Sequence, residues 1–241
     1  MTGYIQFVEH MRAKHASPYP AAPPEHEGFV IGCDLGQVAD FTALCVLEKV
    51  TVPSSEVIQK GFETPTTVDT TKRFRHLRHL QRLKLGTDYP TVAKIVGALI
   101  KSLPPARIAP ALVVDATGTG RPVIDMMRKS GLRPIAVTIT AGYDEIRVAS
   151  DDFRIPKRNL VSTLAVLMQS GRLKVAPELA EAETFVTELS NFKVKISAAG
   201  HDSFNSWRDS IHDDLVLSVA LAAWWSERKV TPTSIIFDLS R

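Results

Sequence analysis

The run Val30-Ile31-Gly32-Cys33-Asp34-Leu35-Gly36, returned through Asp40-Phe41-Thr42-Ala43-Leu44-Cys45-Val46-Leu47, constrains the fold more than any other stretch. Two apolar, β-branched runs around a polar turn read as a buried strand, a tight turn and a returning strand. Asp34 closes the first run, so its carboxylate is expected to leave a rigid strand at the mouth of the fold. A turn-forming Asp that bonds its own backbone would have the same local sequence. Two more acidic sites with the same placement lie downstream, and they favour the functional reading.

The second is Asp115, which ends the short apolar run Ala111-Leu112-Val113-Val114 and precedes the loop Ala116-Thr117-Gly118-Thr119-Gly120-Arg121. A helix is expected from Pro122 to near Gly131, then an apolar strand from Arg133 to Thr140, which is the βαβ pattern of a parallel sheet. The third is Asp213-Asp214, which heads Leu215 to Trp225, a helix apolar all round and therefore buried on the sheet. Ser218 and Ala222, one turn apart, allow it a close approach.

Between these landmarks the periodicity is plain. Strands are expected at 29–34 and 41–50, and residues 56–62 read as a third strand beside them. Residues 91–103 carry Val92, Ile95, Val96, Leu99 and Ile100 at helical spacing, capped at Thr91 and stopped by Pro104-Pro105. Residues 141–155 read as irregular. Helices are expected at Pro156–Ser170 and Pro177–Ser190. Phe192, Val194 and Ile196 alternate with Lys193 and Lys195 as a half-buried strand would. Residues 1–28, with a short amphipathic segment at 3–14 and Pro18, Pro20, Pro23 and Pro24, read as a linker. One folded domain over 29–228 and a tail at 229–241 complete the division.

At 241 residues and 44% hydrophobic content, the chain can enclose a large core. Its longest apolar run, the 11 residues Leu215 to Trp225, is well short of the roughly 20 that span a bilayer. Cys33 and Cys45 both fall in buried strands, without CxxC spacing. That points to a reduced, intracellular protein, no structural zinc and no membrane. Net charge is only +3, but Lys72, Arg73, Arg75, Arg78, Arg82 and Lys84 fall within 13 residues that hold no acid. Such a run is either a solvated face or the footprint of a polyanion, and its lack of compensating acids favours nucleic acid. Lys157 and Arg158 open a helix against its dipole, which is a ligand's place rather than a stabilising one. Arg75, Arg78, Arg82, Arg121, Lys157 and Arg158 are the expected phosphate contacts.

Carboxylates at strand ends and at a helix N-terminus meet at one edge of an open α/β sheet. Held together they repel one another unless a cation binds them. Hard oxygen donors without Cys select Mg²⁺ or Mn²⁺. Two such ions can hydrolyse a phosphodiester.

The motifs Gly32-Cys33-Asp34-Leu35-Gly36 with Asp40-Phe41-Thr42-Ala43, Val113-Val114-Asp115-Ala116-Thr117-Gly118-Thr119-Gly120 and His212-Asp213-Asp214-Leu215-Val216 resemble the nuclease domain of tailed-phage large terminase subunits. So do Leu80 to Pro90 and Pro156-Lys157-Arg158-Asn159-Leu160. The resemblance covers about residues 29–226. It implies an RNase H-like mixed sheet, with antiparallel hairpin strands and parallel strands flanked by helices, in a metal-dependent endonuclease that cuts double-stranded DNA during genome packaging. Carried over by position, Asp34, Asp115 and Asp214 are the ligands of two Mg²⁺ or Mn²⁺ ions. Asp213 is a further candidate ligand, and Asp40 and His212 support the set without binding. The implied setting is the host cytoplasm. The implied partners are DNA, a packaging ATPase, a small terminase subunit and a portal. This sequence departs from the family's full-length pattern in having no GxxxxGK[ST] motif, so ATP-driven translocation is expected from another chain.

Three other readings share these residues. A RuvC-type resolvase or transposase would keep the metal chemistry and change the substrate. An actin-like ATPase would use Asp34-Leu35-Gly36 in a phosphate-binding hairpin. In a non-catalytic DNA-binding module the acids would serve only as turn and cap residues.

Overall fold

The structure, a computed structural model, describes residues 23–36, 40–58, 66–118, 120–198 and 213–228. The expected segment 3–14, His212 and the tail 229–241 lie outside them. In chain order the described elements are β1 (Glu25–Asp34), β2 (Ala43–Val52), β3 (Ser55–Ile58), β4 (Thr66–Asp69), β5 (Lys72–Arg82), α1 (Tyr89–Ser102), β6 (Ala111–Asp115) and α2 (Gly120–Lys129). They continue with β7 (Pro134–Thr140), β8 (Ile146–Ala149), β9 (Asp152–Pro156), α3 (Lys157–Gln169), β10 (Leu173–Val175), α4 (Ala182–Ala198) and α5 (Asp214–Ser226).

Eight strands form one mixed sheet in the order β10-β5-β2-β1-β6-β7-β9-β8. The β1–β2 hairpin and β2–β5 pair antiparallel, whereas β1–β6, β6–β7 and β7–β9 pair parallel. Helices cover both faces, so the central strands are buried on both sides and read as continuous apolar runs. On one face Val30, Cys45, Leu47, Leu77 and Val113 pack under α3, α4 and α5. On the other, Ile31, Cys33, Leu44, Val46, Leu112 and Val114 pack under α1 and α2. The period of two along β1 and β2 sorts their side chains between the two cores.

Four expectations are corrected. The third strand of the antiparallel half is not 56–62 but the basic segment itself, which pairs with β2 as β5; β3 pairs instead with β4 in a separate two-stranded ribbon. Residues 146–149 and 152–156, read as irregular, add two strands at the parallel end. Phe192 to Ile196 belong to α4, which runs unbroken from Ala182 to Ala198. The helical conformation begun at Ala182 thus carries through the local alternation. Lastly, α1 is capped not by Thr91 but by Asp88, whose carboxylate accepts from the Thr91 amide at 2.7 Å.

The buried helix α5 is seated by its own small residues, since Ser218 and Ala222 are fully buried. Its two ends are gripped by one strand. Arg75 and Arg82 of β5 are an odd number of residues apart and would normally face opposite ways. A bulge at Arg78, where Val46 pairs with His79 but Leu47 pairs with Leu77, restores a common face. Seven strand residues span about 23 Å and the 13 residues of α5 about 20 Å, so the two guanidiniums reach opposite ends of the helix.

Candidate active site

Asp34 and Asp115 end neighbouring parallel strands. Cys33 pairs with Val114, which brings the next residue of each strand side by side at the sheet edge. Asp214 opens α5 above that edge. Asp34 and Asp214 are buried, at 7% and 6% exposure. The three acids singled out in the sequence therefore converge.

Burial, together with the charges of Asp115, Asp214 and Asp213, pushes the Asp34 carboxyl well above the usual carboxylate range. Asp115 is also raised, chiefly by burial, although bonds from Thr117 and the charge of Lys157 oppose the rise. Asp115 is fixed from behind by Thr117, whose backbone N–H donates to Oδ1 at 2.8 Å and whose hydroxyl donates to the same oxygen at 2.5 Å. That hydroxyl also accepts from the Ile139 amide at 2.9 Å, which ties the loop after β6 to β7.

Asp213 takes the cap position of α5, yet its side chain makes no cap bond. It accepts instead from Lys157 Nζ at 2.9 Å. The helix-opening cation of α3 thus meets an acid of the site, and its charge also reaches Asp34 and Asp115.

Glu188 of α4, which sequence reasoning missed, is buried beside the same centre. One oxygen accepts from Arg82 and the other from the Val216 backbone N–H at 3.2 Å. Burial raises its carboxyl to about 7, helped by Asp214 and Asp213 and opposed by Arg82. Only its place in an acidic stretch, Glu178 to Glu188, was visible in the sequence.

The expected phosphate contacts separate. Arg82 sits in the centre, with its Nη2 3.6 Å from Asp214 Oδ2 and its guanidinium 5.1 Å over the Phe41 ring. Arg75 is buried at 3% exposure; it donates to Ser226 Oγ at 2.8 Å and pairs with Glu227 at 2.7 Å, closing the C-terminal end of α5. Arg78 is half exposed and donates to Glu48 at 2.5 Å. Arg121 forms a two-pronged pair with Asp152. Arg158 lies 3.5 Å over the Tyr143 ring and donates to the Gly142 carbonyl. Asp40 is exposed on the turn after β1.

Five carboxylates (Asp34, Asp115, Asp213, Asp214, Glu188) and two cations (Arg82, Lys157) make up this cluster. All the donors are hard oxygens, and their mutual repulsion is what a divalent ion would relieve. Among the described residues no group of three or more His, Cys, Asp or Glu side chains is placed so as to hold a metal ion. Carboxylate oxygens are the donors that Mg²⁺ or Mn²⁺ takes.

Three antiparallel strands β5-β2-β1, continued by parallel β6 and β7 with acids at the ends of β1 and β6, form the arrangement expected above. The fold is a mixed α/β sheet flanked by helices. Among solved structures the chain is similar to the human cytomegalovirus terminase nuclease domain in a manganese-soaked, inhibitor-bound form. The TM-score is 0.44 at 12% identity, over 83% of this chain and 82% of that one. It is also similar to Thermus thermophilus RuvC, with a TM-score of 0.32 at 14% identity, over 81% of this chain and 91% of that one. No family model matches the sequence, and no curated protein does.

Proposed function

We propose that this chain is a divalent-metal-dependent endonuclease acting on double-stranded DNA, as the nuclease of a phage-type genome-packaging system. The convergence of Asp34, Asp115 and Asp214 at one edge of the sheet supports the reading most directly. Mg²⁺ or Mn²⁺, two ions in the full reading, would be held by these acids with Asp213 beside them, and would supply water activation and stabilisation of the leaving oxygen. The protein's own part is to hold the acids rigidly. Asp34 and Asp115 stand on paired strands, Thr117 fixes the orientation of Asp115, and the packing of α5 fixes that of Asp214. Lys157 and Arg158, on the helix that opens beside the acids, are the residues proposed to meet the phosphates. A packaging ATPase, a small terminase subunit and a portal are the partners this reading implies.

Incubation of purified protein with supercoiled plasmid tests this. Cleavage is expected with Mg²⁺ or Mn²⁺ and none with a chelator. Intact plasmid across both metal titrations would leave only a DNA-binding role. Strong preference for a four-way junction over linear duplex would move the reading to a resolvase with the same acids.

A further inference from the structure

Arg82 is an unusual neighbour for a cation site. It carries a permanent positive charge into the middle of the acids and lies 3.6 Å from Asp214 Oδ2. The same Nη2 is bonded to Glu188 on α4, whose other oxygen holds the Val216 backbone N–H in the first turn of α5. The guanidinium is thus shared between two carboxylates on different helices. Its Nε is buried and donates to nothing among the described residues. A buried donor left unmet costs about 1–3 kcal/mol, so the position of Arg82 is set by charge rather than by a completed set of bonds.

We propose that Arg82 is a built-in counter-ion that competes with a divalent cation for Asp214, and that Glu188 sets the strength of that competition by drawing the guanidinium away. The inference rests on the metal-site reading above but not on cleavage. Before an ion arrives, Arg82 offsets the charge on Asp214 and keeps the helix start packed. When an ion binds, Asp214 no longer needs Arg82, and Glu188 is the acceptor already in contact with it. Glu188 is a positioning residue in this scheme, acting through Arg82. Seven residues along the same strand face, Arg75 has no such freedom, because Ser226 and Glu227 engage its guanidinium at the far end of α5.

The competition predicts effects of opposite sign. Mn²⁺ affinity would be measured by calorimetry and by the loss of the free-ion electron paramagnetic signal, on the full chain, with folding checked by circular dichroism. R82M keeps the length and apolar stem of the side chain but removes the charge, and is expected to bind Mn²⁺ about tenfold more tightly. E188Q keeps the shape and leaves Arg82 to Asp214, and is expected to bind several-fold more weakly. The double variant should match R82M, since without Arg82 there is nothing for Glu188 to restrain. Weaker binding by folded R82M would overturn the proposal and make Arg82 an aligner of Asp214. An equal loss from E188Q with and without Arg82 would also overturn it, because Glu188 would then act on the ion directly. Should R82M not fold, E188Q decides alone, and unchanged or tighter binding refutes the scheme. Absence of Mn²⁺ binding in every variant would remove the metal site and this inference together. Binding without plasmid cleavage would remove only the nuclease reading.

Discussion

Gly32 of β1 lies so close to Ser218 of α5 that a Cβ built on it would stand 1.9 Å from the Ser218 carbonyl oxygen and 3.0 Å from Cys45 Sγ. That carbonyl also accepts from the Cys45 thiol at 3.3 Å. The helix therefore rests on bare strand backbone two residues before Asp34, and this close approach sets how near Asp214 comes to the strand ends. Gly32→Ala must push α5 outward. It is expected to cost about 3 kcal/mol or more, as overpacking of a tight core does, and to weaken Mn²⁺ binding as well. Thermal or urea unfolding checks the first effect and calorimetry the second. A variant as stable as the parent would contradict the close approach.

Asp34→Asn should trade function for stability. The raised Asp34 carboxyl means that the folded state disfavours its ionised form. Such a group contributes fully below its unfolded value, and the contribution is lost as pH rises through the raised folded one. Glu188 has the same sign, its contribution falling away from about 4.5 to about 7, a change equivalent to about 3 kcal/mol. Metal-free protein should therefore lose stability as pH rises over that interval. Asp34→Asn should melt higher than wild type at neutral pH without metal, gain nothing from added Mn²⁺ and cut no DNA. Unfolding curves across pH, with and without Mn²⁺, test all three statements.

Asp213 and Asp214 are adjacent but not equivalent. Asp213 takes the cap position with non-helical backbone, whereas Asp214 is the first residue of the helix. Asp214 faces the buried centre with Arg82, while Asp213 turns to Lys157. Asp214→Asn is expected to abolish cleavage with the fold intact, and Asp213→Asn only to weaken it, with altered DNA binding through the released Lys157. Full loss from Asp213→Asn alone would reverse the assignment.

The arginines should divide by role in the salt dependence of DNA binding. Arg158→Ala is expected to lower the log–log slope by about 0.9, because one phosphate is no longer neutralised. Arg75→Ala should leave the slope unchanged and destabilise the fold by about 2–4 kcal/mol, because it removes a buried cation that bonds Ser226 and pairs with Glu227. Fluorescence anisotropy at several salt concentrations, beside melting curves, separates the two. A changed slope for Arg75→Ala would show that the strand opens onto DNA.

The sequence by itself determined where the acids emerge. A buried strand is legible as an apolar run and its end as the first polar residue, so Asp34 and Asp115 could be placed at strand ends. Asp214 could likewise be placed at the start of a helix apolar on every side. Ser218 and Ala222 already marked the closely packed face of α5, which the structure sets against Gly32. Only the tertiary structure decided what the cations do. Arg75, Arg78 and Arg82 look alike in sequence as members of one acid-free run. Their fates diverge because one bulge in β5 turns Arg75 and Arg82 to the helix and leaves Arg78 with Glu48. Glu188 was invisible for the same reason: its partners Arg82 and Val216 are 106 and 28 residues away in the chain. Periodicity reports which face of an element is buried, because burial acts on each residue separately. A charge takes its role from the partner it meets, and that partner is chosen by the packing of distant segments.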